Sequence, residues 1–183
     1  MQWNIPGTTL SVTSQEMPLA EERLRAIFLA GGIALSQVSA ITGLEPYTVQ
    51  NWVKRGFLTS PQNKRYSLRQ FCRILNINML KDALAMEQIC GLLTYINGHM
   101  DDESDDIIDD TQLYFMFVRL ATHHREMNDP TGRDRYLQQV LADYEEPVPG
   151  ARERVTQVLR IMLTAWAAAQ LRQTAEKMVK ELK

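Results

Sequence analysis

The chain has 183 residues, 45% of them apolar and 23% charged, and a formal net charge of -2. That length accommodates one domain, or a small domain with an appendage, and the composition argues against both a disordered and a membrane-embedded chain. Cys72 and Cys90 are the only cysteines and form no CxxC, so buried free thiols are expected rather than a disulfide or a metal site.

The start, "MQWNIPGTTLSVT", lacks the basic and apolar regions of an export signal, and the longest apolar stretch, "IMLTAWAAAQL", is shorter than the ~20 residues of a membrane span. A cytoplasmic protein with no membrane contact is expected. Residues 1–17 read as an irregular or extended N-terminal arm. "PLAEERLRAIFLAGG" then reads as a helix, with Pro18 in its first turn, an apolar face at Leu24, Ile27 and Phe28, and a stop at Gly31 and Gly32. Further helices are predicted at about Ser36 to Thr42, Pro46 to Arg55, Leu68 to Lys81 and Ala85 to Asn97. A turn falls at Gly43 to Glu45, and a hairpin-like excursion spans Gly56 to Tyr66.

Residues 101–110, "DDESDDIIDD", have the composition of a solvated acidic linker. Three helical segments follow: "TQLYFMFVRLATHHRE", "GRDRYLQQVLADYEE", and a long one from Ala151 to Lys183 whose broad apolar stripe suits a bundle better than a strict coiled coil. The expected organisation is an arm at 1–17, a domain of short helices at 18–100, a linker at 101–110 and a helical C-terminal region at 111–183. The fold class is mainly all-α.

The small net charge hides an asymmetry. Residues 33–81 carry Lys54, Arg55, Lys64, Arg65, Arg69, Arg73 and Lys81 against Glu45 alone, whereas residues 82–110 hold acids and no lysine or arginine. Local charge, not the whole-chain balance, decides binding to a polyanion. The basic block surrounds "LSQVSAITGLEPYTVQNWVKRGFL", which suits a helix-turn-helix: Ser39 is small, Gly43 permits a tight turn, and Val38, Leu44, Val49 and Trp52 form one apolar seam. With Val49 and Trp52 inward, Tyr47, Thr48, Gln50, Asn51 and Lys54 point outward. Such amides pair bidentately with adenine, while hydroxyls and cations reach phosphate or guanine. Arg55, Lys64, Arg65, Tyr66 and Arg69 complete the expected DNA-binding set, the hairpin acting as a short basic wing.

These residues, with "KRYS" and "LRQFCRILNINMLKDALAMEQICGLL", resemble the winged helix-turn-helix of MerR-type bacterial transcription regulators. From about Leu19 to Leu120 the chain more closely resembles a bacterial family catalogued as a domain of unknown function, number eighteen thirty-six. The first resemblance implies a homodimer on double-stranded DNA, joined through a helix after the DNA-binding part, and a C-terminal region that senses a small-molecule effector. Gln50-Asn51-Trp52-Val53 stands where MerR-type proteins commonly carry Arg-Tyr-Tyr-Glu, so Gln50 replaces a contacting arginine. The chain has no metal-binding cysteine loop near its C-terminus, which disfavours a metal sensor, and no cofactor is expected.

Plainer roles compete at several positions. Trp52 is expected in the core, His123 and His124 on the surface with His99 adding no metal site, and Tyr114, Phe115 and Phe117 in helix packing rather than an effector pocket. The acidic run could bind a divalent cation or shield the basic face, but a linker is the simpler reading. Without a Gly-rich phosphate loop, GxSxG or HExxH, no enzyme is expected. The leading expectation is a sequence-specific DNA-binding regulator; the alternative is a non-enzymatic protein-interaction module built on the same fold.

Overall fold

The computed structural model describes residues 2–13, 15–98, 103–123 and 130–182. Among them the chain is mainly helical, with two small antiparallel sheets. The first sheet pairs β1 (Gln2–Asn4) with β2 (Ser11–Thr13), and the second pairs β3 (Ile33–Ala34) with β4 (Arg65–Tyr66). The helices are α1 (Ala20–Ile27), α2 (Leu35–Thr42), α3 (Pro46–Lys54), α4 (Leu68–Leu80), α5 (Met86–Asn97), α6 (Asp110–Ala121), α7 (Pro130–Val140) and α8 (Ala151–Glu181).

α4 is the axis of the fold. Ser67 starts it with a reciprocal cap: its Oγ accepts from the Gln70 N–H at 3.2 Å, and Gln70 Oε1 accepts from the Ser67 N–H at 2.9 Å. Every residue from Phe71 to Ile77 is buried, and α4 packs against α6, α8, α5 and α2. Burial on nearly all sides explains why its polar residues face inward partners. Arg73 Nη1 lies 3.4 Å from Asp110 Oδ2, while Asn76 donates to Asp110 through its Nδ2. Tyr114, Phe115 and Phe117 of α6 are core residues. The Tyr114 hydroxyl donates to Pro6 O at 2.8 Å, and the Phe117 ring meets Trp166 edge-on.

Two segments are more tightly packed than their sequence reading implied. Residues 2–13 form a hairpin sunk into the body, with Ile5 and Val12 in the core. Gly7 is backed onto α4, where a Cβ would come 2.9 Å from Leu75 O, so only a residue without a side chain permits this approach at its φ of +74°. The second half of the acidic run is likewise packed. Ile107 and Ile108 are buried, Asp109 caps α6 by accepting from the Thr111 and Gln112 N–H groups, and Asp106 and Asp110 meet Arg69 and Arg73. Apolar side chains within the run and arginines waiting on α4 outweigh its tendency to stay solvated. Residues 101–102 lie outside the described residues, as do His99, His124 and the predicted helical extension to Glu126.

α8 has 31 residues and is ~46 Å long at 1.5 Å per residue. Its burial ends at Ala169; residues 170–182 are exposed, including Leu171, Met178, Val179 and Leu182. No described helix is long and apolar enough to cross a membrane.

Candidate nucleic-acid interface

The corner between α2 and α3 is built from three kinds of local contact. Gly43 adopts φ +71°, the left-handed conformation that ends α2, and its N–H donates to Ser39 O. The Thr42 hydroxyl donates to Val38 O at 2.7 Å and accepts from the Leu44 N–H at 3.2 Å, closing the turn. Glu45 is extended and Pro46 supplies the first helical residue of α3, where its missing N–H costs nothing.

Distant residues then lock this corner. The last carbonyls of a helix lack partners within it. Here the Thr9 N–H donates to Ile41 O at 2.7 Å, the Thr9 hydroxyl lies within bonding distance of Ala40 O and Ile41 O, and Asn78 Nδ2 donates to both Thr42 O at 3.1 Å and Gly7 O at 2.8 Å. Thr9 and Asn78 were not singled out from the sequence. Each lies more than thirty positions from the carbonyls it serves, and no local pattern marks it.

Val49 and Trp52 are buried, so the opposite face of α3 is outward. Tyr47 is 75% exposed, Gln50, Lys54 and Arg55 are exposed, and Thr48 and Asn51 are half-buried. The Arg55 guanidinium sits 4.5 Å from the Phe57 ring centroid and 3.4 Å from Glu87 Oε1, an exposed pair that leaves the charge near solvent.

After α3 the chain makes a two-residue hairpin turn. Gln62 and Arg65 pair across it, and Asn63 and Lys64 occupy the tip with φ of 48° and 62°. Positive φ at both central residues is the type I′ geometry that matches strand twist, for which Asn-Gly is the favoured pair. A lysine in the Gly position costs about 1 kcal/mol or more. Strand alternation then separates Arg65 from Tyr66: Arg65 is exposed, its Nη1 donating to Gly32 O at 3.0 Å, whereas Tyr66 sits opposite Ile33 and is 2% exposed. Tyr66 is therefore a core residue, its phenol pKa raised by burial, and not a surface contact. The period of two along a strand was the sequence signal that the two neighbours cannot both face outward.

Arg69 also departs from the expected surface set. It is half-buried on α4, its Nη2 2.5 Å from Asp106 Oδ2. Burial raises the Asp106 carboxyl pKa to about 6 despite this arginine. The acidic run thus meets the basic block at Arg69 and Arg73, leaving Lys54, Lys64 and Arg65 without an ion-pair partner among the described residues. Cys72 is buried and Cys90 half-buried, and burial pushes both thiols up, away from the reactive thiolate. The His123 ring stacks on Tyr136 at 4.3 Å.

The profile of a family described as a domain of unknown function (DUF1836) matches residues 14–117, which includes α1 to α5 and the hairpin. Among curated proteins, the chain is 25% identical over 164 residues to YkrK of Bacillus subtilis strain 168, described as an uncharacterized protein; the match covers 82% of this chain and 70% of that one. No solved structure matches the chain.

Proposed function

The chain belongs to the DUF1836 family, and we propose that it is a non-enzymatic, sequence-specific DNA-binding transcription regulator of the winged helix-turn-helix type. α3 is the recognition helix for the major groove, and the 56–66 hairpin is a short basic wing carrying Lys64 and Arg65 to flanking phosphates. The observation that carries the reading is the outward face of α3: Tyr47, Gln50 and Lys54 stand exposed beyond a buried Val49 and Trp52, on a helix whose entry corner is held from two sides by Thr9 and Asn78. Fixing the corner matters because base readout needs donors held in register. Lys64 adds support, since its backbone conformation disfavours any side chain yet places a cation at the hairpin tip.

The regulator is proposed to act as a homodimer. Leu171, Ala175, Met178 and Leu182 recur along the exposed end of α8 at alternating spacings of four and three, the seam of a two-helix contact. Lys54, Arg55, Lys64 and Arg65 give four accessible cations per protomer. Eight phosphates neutralised by a dimer give a slope of roughly -7 in log affinity against log salt, at about -0.9 each.

Selection from random duplexes followed by fluorescence anisotropy across a salt series tests this. Gln50→Ala and Asn51→Ala are expected to cost about 1–3 kcal/mol on the selected site and to relax base preference. Binding insensitive to salt, or no retention on heparin at low salt, would reject the DNA reading in favour of a protein-interaction module on the same scaffold.

A further inference from the structure

We propose that a polar cavity beneath the hairpin binds a small hydroxylated oxyanion, either a hydroxycarboxylate or a phosphorylated polyol. The cavity measures ≈ 350 Å³, within the range of metabolite sites, and lies between the 58–70 segment, α4, and the ends of α5 and α6. Gln62, Arg65, Arg69, Arg73, Asn97 and Asp110 are among its walls, and among the described residues Leu58 is the one apolar side chain lining it. Asp106 and Asp110 offset Arg69 and Arg73, so Arg65 leaves the walls with one uncompensated positive charge. Exposed Gln62 and Arg65 open it to solvent.

Asn97 points to a ligand independently of charge. It is 2% exposed, and neither its Nδ2 nor its Oδ1 has a hydrogen-bond partner among the described residues. Buried amides are almost always satisfied, and an occupant offering both an acceptor and a donor would satisfy this one. An oxyanion oxygen meets the Nδ2, and a ligand hydroxyl donates to the Oδ1. Arginine supplies the anion-binding donors by its planar fork. Arg73 uses its Nε on Phe57 O and one Nη on Asp110, both at 3.4 Å, and Arg65 uses one Nη on Gly32 O, leaving further N–H groups on each guanidinium. Hydroxylation distinguishes the ligand from chloride or acetate, and the polar walls exclude an apolar effector. The site stands whether or not α3 reads DNA.

Titrating the full chain with malate and with glycerol 3-phosphate tests the proposal and separates the two sources of oxyanion. Sodium chloride at matched ionic strength and glycerol serve as controls. One arm is expected to bind with one molecule per chain, to raise the unfolding midpoint by roughly 5–10 °C at a hundredfold excess over Kd, and to shift the side-chain amide resonances of Asn97. Asn97→Leu and Arg65→Gln are each expected to weaken that binding at least tenfold. Arg65 is exposed, so Arg65→Gln keeps the test decisive even if Asn97→Leu compromises folding. A midpoint that neither compound moves beyond the salt control shows that the cavity holds only water and overturns the proposal. Binding retained in Arg65→Gln with unmoved Asn97 resonances places the ligand elsewhere and overturns it equally.

Discussion

Replacing Arg73 by methionine leaves the Asp110 carboxylate buried without its cation. The two side chains are 6% and 5% exposed, and their 3.4 Å contact is supplemented by Asn76, by the Arg73 bond to Phe57 O and by the nearby charge of Arg69. Breaking one side of such a pair costs about 3–5 kcal/mol. At roughly 2–4 °C per kcal/mol for a chain of this size, the unfolding midpoint should fall by roughly 10 °C. The loss depends on pH in a definite sense. Burial already raises the Asp110 pKa above the ordinary 3.8, with Arg73 the largest opposing influence, so removing Arg73 raises it further. The folded variant then holds a proton that the unfolded chain has released. The contribution of Asp110 to its stability is fullest below pH 4 and is lost as pH rises through the elevated folded value, so the deficit against the native chain grows with pH. Urea unfolding followed by circular dichroism at pH 5 and pH 7.5 measures both terms, and the double variant R73M/D110N should recover most of the loss. A deficit under about 1 kcal/mol at pH 7.5, or one equal at the two pH values, refutes the buried-pair argument.

Lys64→Gly should stabilise the fold by about 1 kcal/mol by relieving a left-handed lysine, yet lower the salt slope of a DNA-bound dimer by roughly 2; calorimetry and anisotropy read the two effects separately, and an unchanged slope removes Lys64 from the interface. Asn78→Ala unties Gly7 from Thr42 and should cost about 1–3 kcal/mol in urea unfolding, whereas a neutral result would mean that the turn holds itself. The Asp106 carboxyl should titrate near pH 6 by carbon NMR. Because that value is raised, its contribution to stability is full below pH 4 and is lost as pH climbs through 6, and Asp106→Asn should remove this component; a midpoint near 4 would contradict the burial of its carboxyl. Changing Leu171, Met178 and Leu182 together to serine should convert the proposed dimer to a monomer in sedimentation and lower the unfolding midpoint only by the association that is lost, since all three are exposed within the single chain; a dimer that persists moves the interface elsewhere.

Local pattern was enough for most helix positions, because amphipathic spacing and capping residues act within a few positions of one another. The α2 to α3 corner is of this kind: Gly43 ends one helix, Pro46 begins the next, and Val49 with Trp52 sets which face is inward. The basic block was equally visible, but its division was not. Arg69 and Arg73 share a helix with Phe71 and Ile74, and nothing within that stretch announces that Asp106 and Asp110, some 37 positions on, will neutralise them in the interior. The acidic run looked like a linker because its composition favours water, until partners brought by the fold made burial affordable. The N-terminal residues looked like an irregular or extended arm because their role, bonding to the open carbonyls of α2, lies in contacts with a distant helix end. The sequence by itself determined the helices, the corner and the outward polar face of α3, since these follow from short-range periodicity and turn chemistry. Only the tertiary structure decided which charges remain at the surface and which are spent inside, because desolvation and pairing depend on neighbours that chain order does not reveal.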